Sequence, residues 1–127
     1  MDEILFTGRE LDVMAILWTR GASTVAEVRE QLEDSLAYTT VLTVLRTLEA
    51  KGHVTHRIDG KAHRYSAAVA RDEAGRSALG RIVEKIFGGS RELLLTQLVD
   101  GRAIDAAELQ RLRRVLNARL AERGEGT

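Results

Sequence analysis

Hydrophobic positions recur at helical spacing through the first fifty residues, alternate briefly, then return to helical spacing. Thr7-Gly8-Arg9-Glu10 has the Thr-x-x-Glu form of a capping box, in which each side chain satisfies the other residue's free backbone N–H. Leu11, Met14, Leu17 and Trp18 follow as one stripe, widened by Val13 and Ile16, and Gly21 stops the helix just after Arg20. A second box, Thr24 to Glu27, opens a helix with Val25, Val28 and Leu32 on one face, and the link from Gly21 to Ser23 leaves room for a short extended piece. The spacing of Val41, Val44, Leu45 and Leu48 predicts a third helix from about Ala37 or Tyr38 to Lys51, closed by Gly52.

The period then changes. Two short runs, His53 to Ile58 and Lys61 to Ser66, flank Asp59-Gly60, a dipeptide that favours tight hairpins because both residues tolerate positive φ. With Asp59 and Gly60 as the two turn residues, His56 falls directly across from His63 on the same face. Tyr65 is expected in the core, closing the hairpin against the first helix near Trp18. Helix, helix, helix, hairpin is the order of a winged helix-turn-helix, with the hairpin tip as the wing.

From Ala70 onward the helical period returns. Leu79, Ile82, Val83, Ile86 and Phe87 form a wide stripe, interrupted upstream by Gly75 and Gly80. Gly88-Gly89 breaks the chain and Ser90 caps a short helix, expected to be mostly buried, that carries Leu93, Leu94, Leu95, Leu98 and Val99. Asp105 to Glu108 is a further box pattern ahead of Leu109, Leu112, Val115, Leu116 and Leu120, and Glu122 to Thr127 is expected to fray. The expected architecture is mainly α: a winged helix-turn-helix over residues 1–69 and a helical dimerisation region over 70–127. The absence of proline, with 4% aromatic residues, agrees with helices over a β-sandwich.

Charge sharpens this picture. Lys+Arg and Asp+Glu are 19 each, but the balance is segregated: residues 1–34 hold three Arg against eight acidic groups, net −5, whereas 35–66 reach net +3 and also hold all three histidines. With no cysteine, disulfides and thiolate metal sites are excluded. No apolar run approaches the roughly 18 residues of a membrane span, and the Met1-Asp2-Glu3 start lacks the basic opening of a secretory signal. A cytoplasmic protein that does not insert in membranes is the expectation.

The polar arc of the third helix carries Thr39, Thr40, Thr43, Arg46, Thr47 and Ala50. Small hydroxyl side chains let a helix enter a major groove, and arginine to guanine is the commonest specific base contact. Four threonines lower helix propensity, a cost more easily understood on a functional face than on an idle one. In the wing, Lys61 at the tip and Arg57 and Arg64 on the strands are placed to neutralise phosphates, with Arg64 ranked below the others because an acidic group of the first 34 residues can claim it. Two histidines are too few to close a zinc site, so neither metal nor cofactor is expected. No nucleophile elbow, phosphate-binding glycine loop or HExxH is present, and no enzyme activity is expected. Two other readings stand beside DNA binding: a winged helix used for protein contacts, suggested by the zero net charge and acidic start, and a ligand- or metal-sensing regulator, suggested by His56 and His63.

Four collinear pieces carry a family resemblance: Glu10 to Trp18; Tyr38-Thr39-Thr40-Val41 with Leu45 and Leu48 to Gly52; Ile58 to Lys61 with Arg64-Tyr65; and Phe87 to Ser90. Together they resemble the BlaI/MecI penicillinase-repressor family over almost the whole chain. The resemblance implies a homodimeric repressor whose winged helix binds a palindromic operator, typically with TACA/TGTA half-sites. It implies dimerisation through the C-terminal helices, here Leu79, Ile82, Val83, Ile86 and Phe87, then Leu94 and Leu98, then Leu109, Leu112 and Leu116. It also implies a membrane sensor-peptidase as partner, which in family members cuts an Asn-Phe bond. The aligned pair in this chain is Gln97-Leu98, a departure from that pattern, and the C-terminal Cys-x-Cys pairs of copper-responsive relatives are missing.

Overall fold

A computed structural model describes residues 4–101 and 103–124. The chain divides into two compact units, the first ending at Gly80 and the second beginning at Arg81. The Met1-Asp2-Glu3 start lies outside the described residues.

In the first unit, α1 (Gly8–Arg20), β1 (Ser23–Thr24), α2 (Val25–Gln31) and α3 (Tyr38–Ala50) precede the hairpin of β2 (Val54–Asp59) and β3 (Ala62–Ala67). Both predicted capping boxes are formed reciprocally, Thr7 with Glu10 and Thr24 with Glu27. The brief extended piece is β1, which pairs antiparallel with β3, so the sheet order is β1-β3-β2. Mainly helical with a small antiparallel sheet, this is a winged-helix arrangement.

Val41, Leu45 and Leu48 of α3 are fully buried and meet Val13, Met14 and Leu17 of α1, Val25 and Val28 of α2, and Val54, Tyr65 and Val69 from the hairpin and its exit. One expected core position fails. Leu11 is 45% exposed, whereas Glu10 is buried at 4%. The buried face of α1 is centred on residues 10, 13, 14 and 17 because Lys51 reaches Glu10 from the end of α3, placing both carboxylate oxygens 2.9 Å from its ammonium.

The hairpin register also differs from expectation. Asp59 pairs with Ala62, so the turn residues are Gly60 and Lys61. Gly60 has φ +65° while Lys61 keeps a negative φ, the sign pattern of a type II′ turn with glycine first. His56 therefore faces Tyr65 and Ile58 faces His63. The slip moves each pairing by two positions in total, so the faces are unchanged and His56 still shares a face with His63, now diagonally.

α4 (Arg71–Lys85) runs unbroken through Gly75 and Gly80, which therefore do not interrupt it. It opens in the first unit, where Ala74 is buried and Ser77 Oγ accepts a 3.2 Å hydrogen bond from Ile4 N–H. The second unit continues with α5 (Arg91–Val99) and α6 (Ala106–Gly124). Ser90 caps α5 by accepting from Leu93 N–H at 3.1 Å, and Asp105 caps α6 by accepting from Glu108 N–H at 2.9 Å. α5 has no buried residue, against the expectation of a mostly buried helix: Leu94 is half-buried and Leu93, Leu95 and Leu98 are exposed. α6 remains helical through Glu122 and Arg123, so fraying does not begin there, and residues 125–127 lie outside the description.

Candidate nucleic-acid interface

Residues spaced three and four apart on α3 divide its surface. Val41, Leu45 and Leu48 anchor one side in the core, which turns Thr39, Thr40, Thr43, Arg46 and Thr47 to solvent, all five exposed. The hydroxyls are not equivalent. Thr43 Oγ1 donates to the Thr39 carbonyl and Thr47 Oγ1 to the Thr43 carbonyl, both at 2.9 Å. Donating backwards along a helix leaves these two oxygens as acceptors beside their methyl groups, whereas Thr39 and Thr40 keep an unengaged donor.

Arg46 lies near the end of this arc, beside the phenol of Tyr65. Burial pushes the Tyr65 hydroxyl above its ordinary pKa, the carboxylate of Glu49 and nearby Tyr38 push the same way, and the charge and hydrogen bond of Arg46 partly offset them. Tyr65 is buried as expected, with Arg46 of α3 the cation that acts on its hydroxyl. Trp18 makes other contacts: its indole N–H donates to the Val69 carbonyl at 2.9 Å, and Phe6 meets it edge-on.

Beyond Tyr65 the hairpin carries His56 and His63, whose rings stack at 4.5 Å between centroids and 11° between planes. His56 Nδ1 lies 2.6 Å from Glu49 Oε2, which ties β2 to the end of α3. Ring nitrogens direct their lone pairs in the ring plane, so two nearly parallel rings do not converge on one ion. Among the described residues no group of three or more His, Cys, Asp or Glu is arranged to hold a metal.

The three wing cations separate into two kinds. Arg57 and Lys61 are exposed and make no side-chain bond among the described residues. Arg64 is half-buried: its Nε donates to Asp59 Oδ2 and its Nη1 to Glu27 Oε1, both at 2.9 Å, with Nη1 also 3.4 Å from the Ala22 carbonyl. The bond to Asp59 raises the pKa of Arg64, burial works against that, and Glu27 adds to it. Glu27 itself is held below the usual carboxylate range, first by the Thr24 backbone N–H, against some desolvation, then by Arg20 and Arg64. Arg64 is thus the cation already claimed by an acidic group of the first 34 residues.

One exposed residue beside this face is absent from the candidates named from sequence. Tyr38, 48% exposed, is the first residue of α3 and neighbours Thr39. An aromatic at a helix start, off the apolar stripe, is the signal that could have found it. The residues proposed for dimerisation differ in exposure: Leu79, Ile82, Ile86, Leu98, Leu109 and Leu116 are exposed, Phe87, Leu94 and Leu112 are half-buried, and Val83 is buried at 9%.

Comparison with known proteins places this geometry. A family model described as penicillinase repressor matches residues 6–118. The chain is 39% identical over 114 residues to the transcriptional regulator BlaI of Mycobacterium tuberculosis, covering 84% of this chain and 79% of that one. It is 23% identical over 110 residues to the methicillin resistance regulatory protein MecI of Staphylococcus aureus, covering 85% and 89%. In fold it is similar to a MarR family protein from Bacillus stearothermophilus, with TM-score 0.52, 19% identity and coverage of 95% and 77%. A transcriptional regulator from Thermotoga maritima gives TM-score 0.51 at 20% identity, covering 91% and 79%. Family model and relatives agree along most of the sequence, and the chain belongs to the penicillinase repressor family of DNA-binding transcriptional regulators, the BlaI/MecI group.

Proposed function

We propose that this chain is a homodimeric repressor in which residues 1–69 bind duplex DNA and residues 70–127 dimerise. α3 enters the major groove with Thr39, Thr40, Thr43, Arg46 and Thr47 toward base edges, and Arg57 and Lys61 of the wing neutralise flanking phosphates. The observation that carries this reading is the solvent-facing threonine and arginine arc of α3, with two unengaged cations on the adjoining hairpin.

Dimerisation is supported by the second unit. Leu93, Leu98, Val115, Leu116 and Leu120 are between 47% and 69% exposed, more apolar surface than three short helices leave to water. A second copy related by a two-fold axis covers such faces and sets two recognition helices on a palindrome. Sensing by the Cys-x-Cys device of copper-responsive relatives is excluded by the absence of cysteine. A membrane sensor-peptidase is kept as a candidate partner, but Gln97-Leu98 stands where family members carry the Asn-Phe bond, so cleavage at that bond is not part of the proposal.

A gel shift on the promoter of the chain's own gene tests the reading, with affinity expected to fall steeply as salt rises. Absence of a shift, both there and with TACA/TGTA palindromes at low salt, overturns it.

A further inference from the structure

We propose that Arg64 is a positioning residue: it fixes the wing against α2 through a fork to Asp59 and Glu27, and leaves phosphate neutralisation to Arg57 and Lys61. The inference rests on the DNA-binding reading and assigns a division of labour inside the wing.

The guanidinium reaches in two directions at once. Its Nε holds Asp59, the last residue of β2 before the turn, and its Nη1 holds Glu27 of α2, each at 2.9 Å. Glu27 is already anchored twice: its Oε1 accepts from Thr24 N–H at 2.9 Å, and its Oε2 pairs with Arg20 of α1 at 2.9 Å. The carboxylate that receives Arg64 is therefore part of the helical scaffold, and the group at the other end of the fork is part of the hairpin tip. The Ala22 carbonyl, just ahead of β1, adds a third contact at 3.4 Å. A planar guanidinium presents its Nε and Nη1 donors to two carboxylates at fixed angles, whereas an ammonium on a flexible stem is a point charge with no fixed fork.

Cross-strand pairing supplies the second half of the argument. Arg57 lies directly opposite Arg64 on the same face of the hairpin. Like charges in that position repel. The two carboxylates on Arg64 offset that repulsion, and Arg57 is left exposed toward an outside anion. Lys61, one of the two turn residues, is free in the same way.

The test uses the full chain, a promoter duplex and three variants: Arg64→Gln, Arg64→Lys and Glu27→Gln. Glutamine at position 27 retains the capping-box bond to Thr24 and removes the charge, so α2 keeps its cap. All three are expected to weaken binding by about tenfold, the order of one charged hydrogen bond, with the slope of log affinity against log salt as in the parent. Arg64→Lys is expected to be no better than Arg64→Gln. Amide exchange in the free protein is expected to quicken at residues 57–63 in each variant, a readout that does not depend on DNA. The proposal is overturned if Arg64→Lys binds like the parent, if Arg64→Gln lowers the salt slope by about 0.9, the value of one lost phosphate contact, or if wing exchange does not change. Failure of the parent to bind the duplex overturns the DNA-binding reading instead, while the exchange result still decides the role of Arg64.

Discussion

Lys51 and Glu10 are 41 residues apart, yet the Lys51 ammonium sits 2.9 Å from both carboxylate oxygens of Glu10. One Glu10 oxygen also accepts the Thr7 N–H at 2.8 Å, so a single carboxylate caps α1 and clamps it to the end of α3. The side chain of Glu10 is 5% exposed and that of Lys51 39%, so the pair lies at the edge of the core rather than in it.

Acid stability follows from this pair. Burial is the largest single influence on the Glu10 carboxyl and acts upward, but the Lys51 hydrogen bond, the Thr7 N–H and the Lys51 charge together hold it below its ordinary 4.5. A carboxyl depressed in the folded state contributes stability above its unfolded pKa and loses it as pH falls through the folded value. Lys51→Met removes the Lys51 hydrogen bond and charge and leaves burial opposed by Thr7 alone, so the folded carboxyl should rise and the stability lost on acidification should shrink. At neutral pH this variant should cost about 2 kcal/mol, from a carboxylate left without its cation. Glu10→Gln, which keeps a cap, should cost roughly 1 kcal/mol and flatten the acid limb. Urea unfolding between pH 3 and 7 checks both, and an acid limb identical in all three proteins rules the clamp out.

Arg46 and Lys61 should fail in different ways. Arg46→Ala should narrow the gap between operator and mixed-sequence duplex by about tenfold, the lower part of the range for one base contact. Lys61→Ala should weaken both duplexes alike and lower the salt slope by about one. Tyr65→Phe links the core to this face: it removes only the hydroxyl that meets Arg46, so the melting temperature should move little while discrimination drops. Fluorescence anisotropy on the two duplexes at several salt concentrations separates the three. Equal discrimination in Arg46→Ala and the parent would place base reading elsewhere on α3.

The threonines of α3 divide by the state of their hydroxyls. Thr40 has an unengaged donor, so Thr40→Ala should lose about five- to tenfold in operator affinity, one hydrogen bond's worth. Thr43 already donates to Thr39, so Thr43→Val, which keeps the shape and methyl group, should lose less than about threefold. Titrations of both variants against one operator duplex provide the comparison. A Thr43→Val loss as large as that of Thr40→Ala would mean that the backward bond opens on DNA.

What was legible in the sequence was local. Thr7 with Glu10 and Thr24 with Glu27 are three residues apart and declare their helix starts, and Val41, Leu45 and Leu48 declare the buried face of α3 through period alone. The wing shows the boundary between what spacing decides and what it leaves open. Period-two alternation placed His56 and His63 on one face, but Asp59-Gly60-Lys61 admits two turn positions, and pairing moved to Asp59 opposite Ala62. The burial of Glu10 was beyond local reading because its partner Lys51 is set by how helices pack; for Arg64 the charge pattern pointed to an acidic residue of the first 34, and packing decides that it is Glu27. Leu98 lay beyond local reading for another reason: its stripe was visible, but the side chain is left exposed within one copy, and its cover is assigned only to the proposed second copy.

Leu98 and Leu116 test the proposed second copy. Leu98 of α5 is 61% exposed and Leu116 of α6 is 47% exposed. Within one copy a glutamate at either place meets water and should cost little. Facing a second copy it becomes a buried, unpaired charge, which costs several kcal/mol and separates the dimer. Leu98→Glu and Leu116→Glu should therefore sediment as monomers at concentrations where the parent is a dimer, and their melting temperatures should no longer rise with protein concentration. Operator affinity should fall by more than tenfold, because one recognition helix then reads one half-site, while retention on heparin through Arg57 and Lys61 should persist. Variants that remain dimeric would show that the two-fold contact lies off these helix faces.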